Sequence, residues 1–349
     1  MKKTIAFLLV LTMAMTMFGC AKKISPTTPE APTTDSKAAS AQKTEATAEK
    51  IKIGLSLPSL ISQYFEGVQK AAEEISATEN VELVVVNANG DASEQKSQIQ
   101  SLISGGCQAV ITLSQDSDAI VSSAADCKAA GIPFIALDRQ PSDLKDVDLF
   151  LGFSNEQAAG LCAQAMADAA KEMGYEKVQV IEMVGDLNDT NAVERKNFFE
   201  AKAKELGFEI VAEVPTEWNV DTAFNRLTDT VQNTASFNAI YSPSDILIPA
   251  IMSVLTTRGE WVEFGAENHK IITCIDGSPS GVAAVKSGFV YATSNNDAFV
   301  IGKQGILSAL DMIRNGAPEE KIQALESAIV TKEVAEQAGD TIWGNAFAE

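Results

Sequence analysis

From Ile51 onward the chain alternates short apolar runs with amphipathic stretches, and this alternation limits its possible folds more than any other feature. Ile51–Leu57, Val81–Val86, Ala109–Leu113, Phe134–Leu137 and Leu149–Phe153 read as strands. Glu66–Ile75, Asp91–Ile103 and Ala119–Ala129 carry helical spacing between them, with Asp91 and Glu94 forming a capping-box start. The pattern then resumes. Val178–Met183, Ile210–Val214, Ala239–Tyr241, Ile271–Ile275 and Val290–Thr293 read as strands. Gln157–Glu172, Ala192–Leu206, Thr222–Val231, Leu247–Thr256 and Ala298–Ile313 read as helices. Repeated β-α units predict α/β architecture, with parallel sheets covered by helices on both faces. A chain of 349 residues has room for about two such domains. Two α/β halves bring two sets of strand ends together, and the space between them is a ligand cleft.

In open α/β sheets ligands sit at the carboxyl ends of strands, so the residues that follow each strand are the candidates. The run Phe134-Ile135-Ala136-Leu137 stops abruptly at Asp138-Arg139. Ser62, Tyr64 and Phe65 follow the first strand, and Asn191 and Arg195 follow Val178–Met183. Later strands lead into Trp218-Asn219, Ser244-Asp245, Asp276 and Asn296. Helix capping accounts for Ser244 or Asp245, and for Asn219 or Asp221. It does not call for Arg139, Arg195, Trp218, Tyr64 or Phe65. Aromatic faces beside carboxylates, amides and guanidinium groups suit a polyhydroxylated ring, whose hydroxyls donate to Asp and accept from Arg. Asp138 and Asp276 balance Arg139 and Arg195, which favours an uncharged ligand. A phosphate or dicarboxylate would want surplus cations and a glycine-rich loop, and no GxGxxG or Walker pattern is present.

A net charge of −20 argues against a nucleic-acid partner. The single histidine, His269, argues against His-based metal or triad chemistry and is expected in an exposed polar loop. Cys107, Cys127, Cys162 and Cys274 show no zinc spacing and read as buried small hydrophobes, with a Cys107–Cys127 disulfide as the minor alternative. At the N-terminus, Lys2-Lys3 precede an apolar run from Ile5 to Phe18 that is too short to span a bilayer, so residues 1–19 read as a signal peptide. Gly19-Cys20 resembles a bacterial lipobox, which implies lipid on Cys20. Residues 20–50, poor in large apolar side chains, read as a disordered, membrane-anchored tether.

Three pieces carry a family resemblance: Ala136-Leu137-Asp138-Arg139-Gln140, Asn191-Ala192-Val193-Glu194-Arg195, and Cys274-Ile275-Asp276-Gly277-Ser278-Pro279. With them, the chain from about Ile51 to Lys332 resembles the ribose-binding family of bacterial periplasmic sugar-binding proteins, the solute receptors of ABC importers. The resemblance implies two similar doubly wound lobes, 51–153 with 297–326 and 154–296 with 327–349, joined by a three-segment hinge. It places ligand contacts at Ser62, Tyr64, Phe65, Asp138, Arg139, Asn191, Arg195, Trp218, Ser244, Asp276 and Asn296, with Trp218 and Phe65 sandwiching a sugar. Ser62 and Ser244 stand where the family often has Asn, and these shorter arms point away from ribose itself. The galactose-binding relatives' calcium loop has no counterpart in oxygen-rich spacing, so neither a metal nor a cofactor is expected. The function implied is a monomeric, lipid-anchored, non-catalytic receptor that closes on a neutral monosaccharide or polyol and delivers it to a membrane permease. The alternative is a sugar sensor docking on a chemoreceptor or histidine kinase. A carboxylate pair also serves glycosidases, but the two arginines would keep both acids ionised.

Overall fold

Strands buried on both faces read as unbroken apolar runs because each side chain, up or down, meets a helix layer. The computed structural model describes residues 50–347. In it β1 (Ile51–Leu57), β2 (Val81–Asn87), β3 (Ala109–Leu113), β4 (Phe134–Leu137), β5 (Leu149–Phe153) and β11 (Ile322–Leu325) form one parallel sheet in the order β11-β5-β4-β3-β1-β2. A second sheet runs β12-β10-β9-β8-β6-β7. It comprises β6 (Gln179–Val184), β7 (Glu209–Pro215), β8 (Ala239–Tyr241), β9 (Ile271–Asp276) and β10 (Ala292–Asn295), all parallel, with β12 (Ala328–Thr331) antiparallel on β10. The chain passes from the first sheet to the second after β5, returns after β10, and crosses again between β11 and β12.

Each sheet has a core on either face. Helices α1 (Gln63–Thr78) and α9 (Ala298–Asn315) cover one face of the first sheet, and α2 (Ala92–Ser104) and α3 (Val121–Ala130) the other. Along β4, Ile135 and Leu137 enter the first core while Phe134 and Ala136 enter the second. Each fully buried Ile, Leu or Phe among them stabilises the fold by about 1.5–3 kcal/mol. Gly302 lets α9 lie directly on α1, since a Cβ there would come within 2.4 Å of the Val68 carbonyl oxygen. On the second sheet, α4 (Asn155–Glu172) and α5 (Thr190–Glu205) cover one face. The other is covered by α6 (Val220–Asn233), α7 (Ile248–Arg258) and α8 (Pro279–Lys286). Strand order reverses around β1 in one sheet and β6 in the other, and such switch points open crevices at the strands' carboxyl ends.

Several expectations change. The C-terminal segment, divided between the two lobes at about residue 326 but given no elements from sequence, supplies β11, β12, α10 (Lys332–Gln337) and α11 (Trp343–Ala346). Trp343 is among the largest fully buried side chains. His269 is buried rather than exposed: its Nδ1 lies 2.8 Å from the Val262 carbonyl and its ring meets Phe264 edge-on. Cys107 and Cys127 are buried free thiols, so the alternative disulfide is absent, and burial pushes the Cys127 thiol up to about 12. Asp91 caps α2, accepting from the Ser93 and Glu94 amides, while Glu94 turns to Gln98 instead of completing a capping box. The signal segment, Cys20 and the tether as far as residue 49 lie outside the described residues. No described helix is long and apolar enough to cross a membrane.

Candidate ligand-binding site

The carboxyl ends of the two sheets face a common cavity of about 420 Å³, within the range of small-molecule sites. Ser62, Tyr64, Phe65, Asp138 and Arg139 line it from the first sheet's side. Asn191, Arg195, Trp218, Ser244 and Asp276 line it from the second. Asn296 does not. It is fully buried where the chain crosses from β10 to α9, and its Oδ1 accepts from Ser327 Oγ at 2.7 Å.

On the first side, Ser62 Oγ caps α1 by accepting from the Tyr64 amide, which sets Tyr64 and Phe65 on the opening turn. The Tyr64 ring lies edge-on to Trp343 at 6.0 Å, and its buried hydroxyl makes no hydrogen bond. β4 ends where the Asp138 amide donates to the Leu151 carbonyl at 2.9 Å and the chain turns. Arg139 folds over the Phe65 ring at 5.4 Å and donates from Nη1 to the Ser114 carbonyl at 2.9 Å. Its Nε pairs at 2.8 Å with Asp189 Oδ2, which belongs to the second side. The two sides also meet where the Ser117 amide donates to the Asn188 carbonyl at 3.2 Å and Thr190 Oγ1 to the Gln140 carbonyl at 3.0 Å.

On the second side, Arg195 is aimed by three acceptors. Nε donates to Asn155 Oδ1 at 2.9 Å, and Nη1 donates to the Pro243 carbonyl at 2.8 Å and to Asp276 Oδ1 at 3.4 Å. Asn155 also donates to Asn191 Oδ1, so one amide orients two lining residues. Asp276 Oδ2 accepts from Ser244 Oγ, and the loop after Asp276 is tied down by buried Asp245, which accepts from Ser278 and Thr293. Trp218 packs flat on Gly185, where a Cβ would come within 2.2 Å of the ring. Its Nε1 donates to Asp189 Oδ2 at 2.9 Å. Trp343 holds the Asp276 backbone from behind, donating from Nε1 to the Asp276 carbonyl at 2.9 Å.

Strain gathers here. Of seven non-glycine residues with positive φ among the described residues, Asn89, Asp138, Glu217, Trp218 and Asp276 all line the cavity. Such backbone costs roughly 1–3 kcal/mol per residue and persists where surrounding contacts over-determine it. The electrostatics are also particular. Burial pushes the Asp138 carboxyl up to about 6, against the pull of Arg195 and Arg139. Burial likewise raises Asp276, with Arg195 opposing. For Arg195 burial works against the charge, but Asp276 and Asp138 outweigh it.

Reading strand ends did not single out Asp189, Asn155, Gln115 or Asn89. The ends of β2 and β3 carry Asn89 and Gln115 and satisfy the same rule. Asp189 looks in sequence like a helix cap, and it is one, accepting from the Asn191 amide at 2.9 Å. Its second oxygen changes the charge count in the site. Three buried carboxylates, Asp138, Asp189 and Asp276, now face two buried guanidiniums.

Comparison with known proteins bears on the fold and lineage. The chain is 22% identical over 272 residues to the ribose import binding protein of Bacillus subtilis, covering 78% of this chain and 85% of that one. It is 26% identical over 274 residues to a xylitol-binding protein of Mycolicibacterium smegmatis, covering 78% and 74%. A periplasmic solute-binding protein of Actinobacillus succinogenes, solved with D-allose, superposes with a TM-score of 0.74 at 22% identity, covering 82% of this chain and 99% of that one. The family model for the periplasmic binding protein domain matches residues 53–317, and the chain belongs to that family of substrate-binding proteins, which are not enzymes.

Proposed function

We propose that this protein is the extracytoplasmic sugar or polyol receptor of an ABC importer, anchored by lipid on Cys20 and closing its two lobes on the ligand. One observation carries the reading: carboxylates, guanidiniums and aromatic rings from both sheets converge on one cavity. Polyhydroxylated rings need this mixture, with acceptors and donors for hydroxyls and flat faces for C–H surfaces. Ribose, xylitol and D-allose are named for proteins similar in sequence or fold, which supports the class. Family membership implies the extracytoplasmic location. The three chain crossings near 153–155, 295–298 and 325–328 act as the hinge, and contacts to both lobes exist together only when it is closed, so ligand shifts the population toward closure.

A thermal-shift screen of pentoses, hexoses, polyols and their amino derivatives tests this. A ligand present at a hundredfold excess over its Kd stabilises the native state by about 2.7 kcal/mol, which is readily seen as a raised Tm. Hits should quench or enhance tryptophan emission through Trp218, and Trp218→Phe should abolish that change. No thermal shift with any member of the panel would overturn the reading.

A further inference from the structure

Both buried arginines of the cavity already have carboxylate partners: Arg139 has Asp189 at 2.8 Å, and Arg195 has Asp276 at 3.4 Å. Asp138 is left over. The residue is 7% exposed and its carboxylate, though attracted through space by both guanidiniums, makes no direct hydrogen bond or ion pair among the described residues; the hydroxyl of Tyr64, buried in the same wall, is also unpartnered. At the mouth, Asp186 and Glu217 add negative charge; Glu217 is answered by Arg226 at 2.7 Å, and no lysine or histidine lines the cavity. Closing the lobes on an uncharged ring would seal away from water one carboxylate more than there are guanidiniums, which favours either a cationic partner or proton uptake.

We infer that the ligand of this cleft is a polyhydroxylated ring bearing a protonated amine, an amino sugar or aminocyclitol, whose ammonium group pairs with Asp138. The inference rests on the sugar-receptor reading and sharpens its ligand class. An ammonium at Asp138 balances the buried charged groups that line the cavity, three anionic and three cationic. The neighbouring Tyr64 and Phe65 rings offer aromatic surface that a cation also favours. The two arginines remain free to donate their unused N–H groups to hydroxyls. A neutral hydroxyl in the ammonium's place can donate to Asp138 but brings no counter-charge, so the carboxylate stays a net buried anion or takes up a proton, which its raised position favours.

The test is calorimetric titration of matched pairs that differ only in amine against hydroxyl. Glucosamine with glucose, galactosamine with galactose, and an inosamine with its parent inositol are run at pH 7.5 in two buffers of different ionisation enthalpy. The expected result is that at least one amine binds tenfold or more tighter than its twin, with no proton uptake beyond that needed to complete protonation of the free amine, and that Asp138→Asn removes the preference while some binding of the ring survives. A hydroxyl twin that binds as tightly as its amine, with or without proton uptake, overturns the inference and leaves the sugar-receptor reading standing. Silence from both members of every pair overturns the inference, while the sugar-receptor reading stands or falls by the wider thermal-shift panel. Circular dichroism of Asp138→Asn establishes that the variant is folded.

Discussion

The ion pair between Arg139 and Asp189 joins the two halves of the cleft, and Asp189→Asn isolates it. In the native protein Asp189 uses both oxygens: Oδ1 caps α5 through the Asn191 amide, and Oδ2 accepts from both Arg139 Nε and Trp218 Nε1. An amide has one oxygen. If it keeps the cap, where Asn ranks with Asp, its NH₂ group confronts two donors. If it turns to accept from them, the cap is lost. Either way Arg139, whose side chain is 10% exposed, loses its anionic partner in the closed form. Removing one member of a buried pair costs about 3–5 kcal/mol, and the retained bond to the Ser114 carbonyl holds the loss near the lower figure. In an open form both groups are hydrated, so the penalty falls on closure and not on the folding of either lobe. A shift of about 3 kcal/mol weakens ligand binding somewhat more than a hundredfold. Small-angle scattering of ligand-free Asp189→Asn should give a larger radius of gyration than the parent, with Tm changed by only a few degrees. A variant that scatters like the parent and binds ligand equally tightly would refute the claim that this pair holds the lobes together.

Two further outcomes follow from individual contacts. Glu182 on β6 is fully buried with both carboxylate oxygens unpartnered, and burial pushes it up to about 8. The folded state therefore binds a proton that the unfolded state has already released, so stability is greatest at low pH and is lost as pH rises through 8. Tm should fall as pH rises from 7 to 8 and level off above that, a window above the titration of buried His269, whose pKa burial lowers. Glu182→Gln should flatten that slope without lowering Tm at pH 7, and an unchanged slope would show that Glu182 is not its source. Gly185→Ala introduces a methyl where Trp218 lies, so the ring must swing off and release Asp189. Altered Trp218 emission and ligand binding weakened at least tenfold, with Tm nearly unchanged, are the expected readouts; native affinity in this variant would mean that the ring's seat is irrelevant to binding.

The alternation of apolar runs and amphipathic stretches is a local property, and it was enough to place ten of the strands and most of the helices. A pattern of period 2 or 3.6 is written within a few residues and needs no knowledge of partners. The same locality explains why β11, β12 and α11 escaped notice. β11 and β12 are partly exposed edge strands without the fully buried apolar run that marks equally short β4, and α11 is a single turn. Their order comes from neighbours already in place: β5 and β10 as templates, and for Trp343 the Asp276 carbonyl and the Tyr64 ring. His269 was misjudged for a related reason. Polar neighbours in sequence said exposed, but Val262 and Phe264 close over it in space.

At the cleft the division is similar. That ligand chemistry collects at strand ends follows from topology alone, so Asp138, Arg195, Trp218 and Asp276 were legible as candidates before any coordinate was known. Pairing was not legible. Arg139 and Asp189 lie on different sheets, and only the folding of both sheets brings guanidinium and carboxylate to 2.8 Å. Asn296 obeys the strand-end rule and yet turns toward Ser327 where the chain crosses between sheets, because chain crossings occupy strand ends as well as ligands do. Composition could say that acids and bases in the site roughly match. The tertiary structure decided which carboxylate is answered and which is left over, because Coulomb energies in a dry cleft depend on distances of a few ångströms that no one-dimensional pattern encodes.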